Sequence, residues 1–209
     1  MADRTIKPDS GNDLVLQNNG GGTKIEIPNS GNIAITGTIG SGTIGSSVIF
    51  PAGGTGNPIS VAVIADEKSA STNSQTLNTS FTTRELNTEL SDADGIVSIS
   101  SNQFTLGAGT YLITWSAPAY KVNRHITQLY DVTSTNVLTE GQTAFSGAAT
   151  DEQQSSTGAA VHTITTNNVY EIQHIVQTAR TTDGGGIALG GTGGGANNIF
   201  TYVTIYKLK

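Results

Sequence analysis

From residue 59 onward, apolar and polar positions alternate with a period of two along most of the chain. The clearest case is 109–120: Tyr111, Ile113 and Trp115 fall on one side of an extended strand, and Leu112, Thr114 and Ser116 on the other. Trp115 is the only tryptophan, so this strand carries the largest apolar side chain at its middle. Aromatic and β-branched residues suit a pleated, packed surface. The stretch 169–176 repeats the pattern, with Tyr170, Ile172, His174 and Val176 alternating with Glu171 and Gln173. The closing stretch 199–208 is apolar on both sides: Phe200, Tyr202 and Tyr206 on one, Ile199, Val203 and Ile205 on the other. Strands are expected over 60–66, 81–90, 95–100, 103–106, 109–117, 124–131, 137–145, 158–165, 169–177, 185–189 and 199–208. Turn signals separate them: Asp92 to Gly95, Gly107 to Gly109, Asn167-Asn168 and the glycine run 184–195. No window sustains a 3.6-residue apolar period. Many strands and no helix predict an all-β fold, an antiparallel β-sandwich of the jelly-roll kind.

The pattern differs before residue 59. Residues 1–13 are polar, carry both signs of charge and read as an anchoring arm. Over 14–53 the apolar runs shrink to about four residues, as in Leu14 to Gln17 and Ile33 to Thr36, and the unit Thr-Ile-Gly-Ser occurs at 38–41 and 43–46. Strands this short, joined by Gly and Asn turns, bury a core by winding around two identical copies or by packing on a neighbour. A β-rich stalk dependent on assembly is therefore expected over 14–53, a hinge over 54–58 (Gly-Thr-Gly-Asn-Pro) and a head domain over 59–209.

Composition changes the picture mainly by exclusion. Charged residues make up 12% of the 209 positions, and Thr, Ser, Asn and Gly take their place, with 26 glycines. The net charge is −6 and Lys and Arg do not cluster, so no nucleic-acid partner is expected. There are no cysteines, hence neither disulfides nor thiolate metal sites. No stretch approaches the ~18 apolar residues of a membrane span, and the first residues lack the apolar run of a signal peptide. Synthesis in the cytosol without membrane insertion is expected.

Candidate chemistry is sparse. Gly40 to Gly45 matches G-x-G-x-x-G, with Asp66 about where a ribose-binding acid would lie, but a β-prone run ending at Pro51 follows where a helix is needed. His125, His162 and His174 form no H-x-x-x-H pair. His174 sits on the apolar side of its strand and is expected as a hydrogen-bonded core or interface residue; His125 is expected to join a polar network with Glu85 or Glu89. Asp92 and Asp94 have loop spacing that suits a β-turn with Asx hydrogen bonds better than calcium. No G-x-S-x-G elbow exists. Two carboxylates on different strands are compatible with a glycosidase, but nothing singles out a pair. No enzyme activity, metal or cofactor is expected. The polar run 150–157 and the glycine run 184–195 are expected as exposed loops that read a partner, through Asp151, Glu152, Gln153, Gln154, Asp183 and Asn197.

Several segments together resemble the C-terminal domain of phage tail-fibre and appendage proteins: 81–90, 100–106, 109–120, Asn123-Arg-His125, Tyr170 to His174 and the closing Tyr202 to Leu208. That domain is similar to the trimeric jelly roll of the complement globular head and tumour necrosis factor. Leu14 to Gly20 and Gly45 to Gly53 resemble stalk segments of phage fibres. The resemblance implies a homotrimer, with Ile199, Phe200, Tyr202, Val203, Ile205 and Tyr206 at the seam between copies. It implies a virion protein made in the host cytoplasm, attached to other virion proteins through residues 1–50. Its head would recognise a host-surface glycan or protein. The alternative is a capsid-decorating head fibre or tail-complex adaptor with a purely structural role.

Overall fold

The computed structural model describes residues 59–190 and 196–208. The expected arm, stalk and hinge, the G-x-G-x-x-G match and the centre of the glycine run lie outside the described residues. The described chain is built from strands alone: β1 (Ser60–Lys68), β2 (Thr82–Thr83), β3 (Thr88–Asp92), β4 (Val97–Ser100), β5 (Gln103–Leu106), β6 (Gly109–Tyr120), β7 (Asn123–Asp131), β8 (Asn136–Glu140), β9 (Ala144–Ser146), β10 (Gln153–Ile164), β11 (Asn168–Val176) and β12 (Asn198–Lys207). They form two antiparallel sheets, in the orders β10-β6-β12-β1-β3 and β4-β5-β11-β7-β8, with β2 paired to β11 and β9 to β7. Successive strands such as β5 and β6, β6 and β7, β10 and β11, and β11 and β12 lie in opposite sheets. The expected all-β antiparallel sandwich of jelly-roll type is therefore the observed fold.

The core lies between the sheets. Ile113 and Trp115 of β6, Val203 and Ile205 of β12 and Ile64 of β1 meet Phe104, Leu129, Tyr170 and Ile172 of the second sheet, all of them buried. Trp115 also ties the sheets by a hydrogen bond, its indole N–H donating to Thr127 Oγ1 at 2.8 Å. Gly158 on β10 makes room for this indole: a Cβ there would stand 2.1 Å from Trp115 Cζ2.

Four expected elements differ. The strand over 81–90 is two, β2 and β3, in different sheets. Between them the Arg84 side chain turns inward and is fully buried. The strand over 137–145 breaks into β8 and β9 at Gly141, where a Cβ would meet Thr127 Oγ1 at 2.5 Å. The strand expected over 158–165 begins earlier, at Gln153. The strand over 185–189 is instead a turn and a loop, whose Gly186 carries φ +140° and lies against the Phe200 ring. Gly184, Gly185 and Gly186 are buried, so this part of the glycine run is close-packed backbone rather than an exposed loop.

The register also decides what faces outward. Because Val203, Ile205 and Trp115 point into the core, their neighbours point away. Val61, Tyr206, Leu112 and Val161 line up across four strands of the first sheet. Val63, Thr204, Thr114 and Ala159 form the next row, and Ala65, Tyr202, Ser116 and Thr157 the one after. None of the three rows contains a charged side chain.

Candidate functional site

Strand pairing separates the two ends of the sandwich. Ser60 pairs with Lys207 and Gly109 with Ile164 at the end where the described chain enters; Lys68 pairs with Asn198 and Tyr120 with Gln153 at the other. Asp151, Glu152, Gln153 and Asp183 all belong to this second end. Two connections are held there by backbone bonds, Tyr120 N–H to the Gly184 carbonyl at 3.0 Å and Lys121 N–H to the Glu152 carbonyl at 3.2 Å. Gln153 Oε1 accepts the Ile187 N–H at 2.7 Å. The two loops chosen from sequence thus touch, although about 30 residues separate them along the chain.

Tyr120 organises the cluster. Its hydroxyl donates to Asp151 Oδ1 at 2.6 Å, and Lys121 Nζ lies 2.5 Å from the same oxygen. The Arg180 guanidinium lies over the Tyr120 ring at 4.9 Å and pairs with Asp183, its Nη2 donating at 2.7 Å. Hydrogen bonds from Lys121 and then Tyr120 hold the Asp151 carboxyl below its usual range, and Asp151 in turn raises Lys121. Lys121 and Asn123 adopt left-handed backbone conformations, with φ +56° and +61°. Such strain in residues with a Cβ persists where surroundings enforce it. Here the Asn123 side chain does so, accepting from Ala148 N–H at 2.9 Å and donating to Thr178 Oγ1 at 2.9 Å.

The remaining site expectations need revision. Gln153 and Gln154 are exposed, but they are strand residues paired with Tyr120 and Ala119 rather than loop residues. Glu152 accepts the Gly147 N–H at 2.8 Å. Asn197 donates to Glu67 Oε1 at 2.7 Å, beside β1, and makes no bond to the Tyr120 cluster. Of the six residues expected at a seam, Val203 and Ile205 are fully buried in the protomer's own core, and Phe200 is covered by Gly186 of the same chain. Ile199, Tyr202 and Tyr206 remain accessible, Tyr202 at 40%.

Beneath the cluster lies a buried polar layer that sequence reasoning largely missed. Arg84 donates from Nε to Thr201 Oγ1 at 2.8 Å and from Nη2 to the Gly185 carbonyl at 2.9 Å. Burial pulls its pKa down to about 10, against the attraction of Asp66 and Glu85, so it remains a cation at neutral pH. Asp66 is also buried and accepts Ser74 Oγ at 2.8 Å. Glu85 pairs with Lys68 rather than with His125. His125 contacts neither Glu85 nor Glu89: its Nδ1 lies 2.9 Å from His174 Nε2, and its Nε2 lies 3.3 Å from Ser146 Oγ. His174 is the hydrogen-bonded core residue its strand position predicts. A serine next to two histidines superficially suggests nucleophilic catalysis. Yet Ser146 is fully buried and donates its proton to the Ala119 carbonyl at 2.7 Å, which leaves no proton for a histidine base to take. Asp92 forms the expected turn, accepting the Ile96 and Val97 N–H groups at 2.9 Å. Among the described residues, no three His, Asp or Glu side chains are grouped to hold a metal ion.

No protein-family model matches the chain. No curated protein sequence matches it either. Among solved structures, the globular domain of zebrafish complement 1qA protein is similar over 73% of this chain and 98% of its own, at 16% identity and a TM-score of 0.47. Murine APRIL, in a crystal structure at pH 5.0, covers 72% of this chain with all of its own, at 10% identity and a TM-score of 0.47. Eiger TNF from S. frugiperda covers 73% of this chain with 94% of its own, at 10% identity and a TM-score of 0.48.

Proposed function

We propose that this chain is a virion appendage protein of fibre or spike type, whose head assembles as a homotrimer and recognises a host surface. The observation that carries the reading is the outward face of the β10-β6-β12-β1-β3 sheet. A monomeric soluble domain exposes few contiguous apolar patches of this kind. Here Val61, Tyr206, Leu112 and Val161 form one row without a charge, and Tyr202 stands on the same face two rows away. Further copies of the same chain cover that row, and the number three follows the fibre-head resemblance. The chain enters the head at one end, and the Tyr120, Asp151, Arg180 and Asp183 cluster occupies the other. Assembly and recognition therefore use separate surfaces. Three copies of a weak loop site multiply into useful avidity.

The test is made on the full chain. Light scattering returns three times the 21.5 kDa of one chain, and labelled protein binds host cells. Replacing 147–152 with a Gly/Ser loop abolishes cell binding and leaves the assembled mass unchanged. A monomer in solution defeats the assembly half, and undiminished cell binding by the loop variant defeats the recognition half.

A further inference from the structure

We propose that the buried His125–His174 pair is an acid-sensitive latch at the loop-bearing end of the sandwich, closed while both imidazoles are neutral and opened by the uptake of two protons. Hydrogen-bond bookkeeping assigns every ring nitrogen. Ser146 Oγ donates to the Ala119 carbonyl at 2.7 Å. A hydroxyl has one proton, so toward its other neighbours it accepts. Those neighbours are the Gln154 N–H at 3.1 Å and His125 Nε2 at 3.3 Å. His125 therefore carries its proton on Nε2, and its Nδ1 accepts. His174 Nε2, 2.9 Å from that Nδ1, must be the donor. His174 Nδ1 is left as a lone pair, and among the described residues it has no hydrogen-bond partner. The tautomers are assigned from the network.

Neither ring can accept a second proton in place. On His125 Nδ1 it would set two N–H groups against each other at 2.9 Å and break the bond. On His174 Nδ1 it would create a charge with no acceptor at a site with no solvent exposure. The charged groups on neighbouring elements do not relieve this. Arg84, between β2 and β3, is a cation. Asp66 on β1 is engaged by Ser74, Lys68 and Asn87. Glu152, beyond β9, accepts the Gly147 N–H. Among the described residues no carboxylate accepts a bond from either ring. Burial first and Arg84 second accordingly push His125 down to about 4, and the same two causes, with His125 third, hold His174 well below its usual range.

What the latch holds follows from its bonds. Ser146 links β9 to Ala119 on β6 and Gln154 on β10. The start of β7 is tied to the next connection by Gln177 N–H to the Arg124 carbonyl and Thr178 N–H to the Val122 carbonyl, at 2.8 and 3.0 Å. Opening therefore loosens 119–125, 144–146 and 174–184, while the Trp115 layer keeps its own bonds. The sign is fixed by the direction of the shifts. Both folded-state values lie below the unfolded value of about 6.5, so the open state binds more protons as pH falls below that. The latch is at full strength above about pH 6.5 and weakens through the range down to about 4 and below. Each histidine raises the opening constant up to tenfold per pH unit, so the pair raises it up to about a hundredfold.

Hydrogen exchange of the full chain, from about pH 7.5 to about 4.5 and corrected for intrinsic rates, reads this directly. The logarithm of the opening constant for 119–125 and 174–184 should rise with a slope approaching two per pH unit, with 111–115 and 203–205 unaffected. The variant His125→Asn with His174→Gln keeps a hydrogen-bonding pair but cannot titrate, and should lose the slope. A flat profile in the native chain, or the same slope in the variant, overturns the proposal. If the variant does not fold, histidine NMR titration of the native chain decides: an imidazole at 125 or 174 that titrates near 6.5 in the folded protein also overturns it.

Discussion

The two sheets share one core but present opposite faces to the outside. Outward positions of the first sheet are Val61, Leu112, Tyr206 and Val161, with Thr and Ser between them. Outward positions of the second carry a ladder of amides and a carboxylate, beside the apolar pairs Ile126–Ile175 and Tyr130–Val137. Gln128 donates to Gln173, Gln173 donates to Glu171 at 2.6 Å, and Gln103 donates to the other oxygen of Glu171 at 2.9 Å. Both carboxylate oxygens of Glu171 accept a bond within the protomer, so the charge on this face is satisfied there. The first face has no such ladder, and Val61, Val161 and Tyr202 are exposed on it. One face thus carries a satisfied charge and the other carries none in its three central rows.

That contrast can be broken at three points. The largest effect removes what both sheets share: Trp115→Ala should cost about 3–5 kcal/mol by cavity formation. Guanidinium unfolding followed by circular dichroism should show one transition at a lower midpoint, and two separate transitions would mean the sheets do not share a core. The next effect separates the faces. Tyr206→Glu should reduce the assembled mass to that of one chain in light scattering, whereas Tyr130→Glu, the corresponding change on the ladder face, should leave it unaltered. Equal responses would remove the distinction. The smallest is Glu171→Gln, which weakens two charge-assisted bonds and should lower stability by about 1 kcal/mol without touching assembly. A shift in assembled mass in that variant would mean the ladder also contacts neighbours.

The fold was legible where side chains alternate over a long run. Tyr111, Ile113 and Trp115, and again Tyr170, Ile172 and Val176, announced the core because most of their neighbours are polar and a single register satisfies both. The loops carrying Asp151 and Asp183 were legible from composition alone. Their company was not. Tyr120 and Lys121, Asp151, and Arg180 with Asp183 come from three distant segments; pairing of β6 with β10 brings the first two together, and the Tyr120 N–H to the Gly184 carbonyl brings in the third. Arg84 looked like an ordinary polar position on a strand. Its burial depends on Thr201, more than a hundred residues away, and on a glycine carbonyl that has no sequence signature. His125 was matched to the acids Glu85 and Glu89; the fold buries it, which disfavours its charged form, and sets it against another histidine instead. The final strand misled in a different way. Apolar residues on both sides are equally compatible with a neighbour's surface and with a loop of the same chain, and Gly186 covers Phe200.

Gly158 constrains the order in which this protein can change. Any side chain at that outer strand position collides with the Trp115 indole. Position 158 is therefore closed to variation while tryptophan occupies 115, and opens once that residue becomes smaller. Substitutions at the two sites should be epistatic: harmful at 158 alone, tolerated after Trp115→Leu. A lineage that keeps its tryptophan inherits one fixed notch in an edge strand and can diversify only on either side of it.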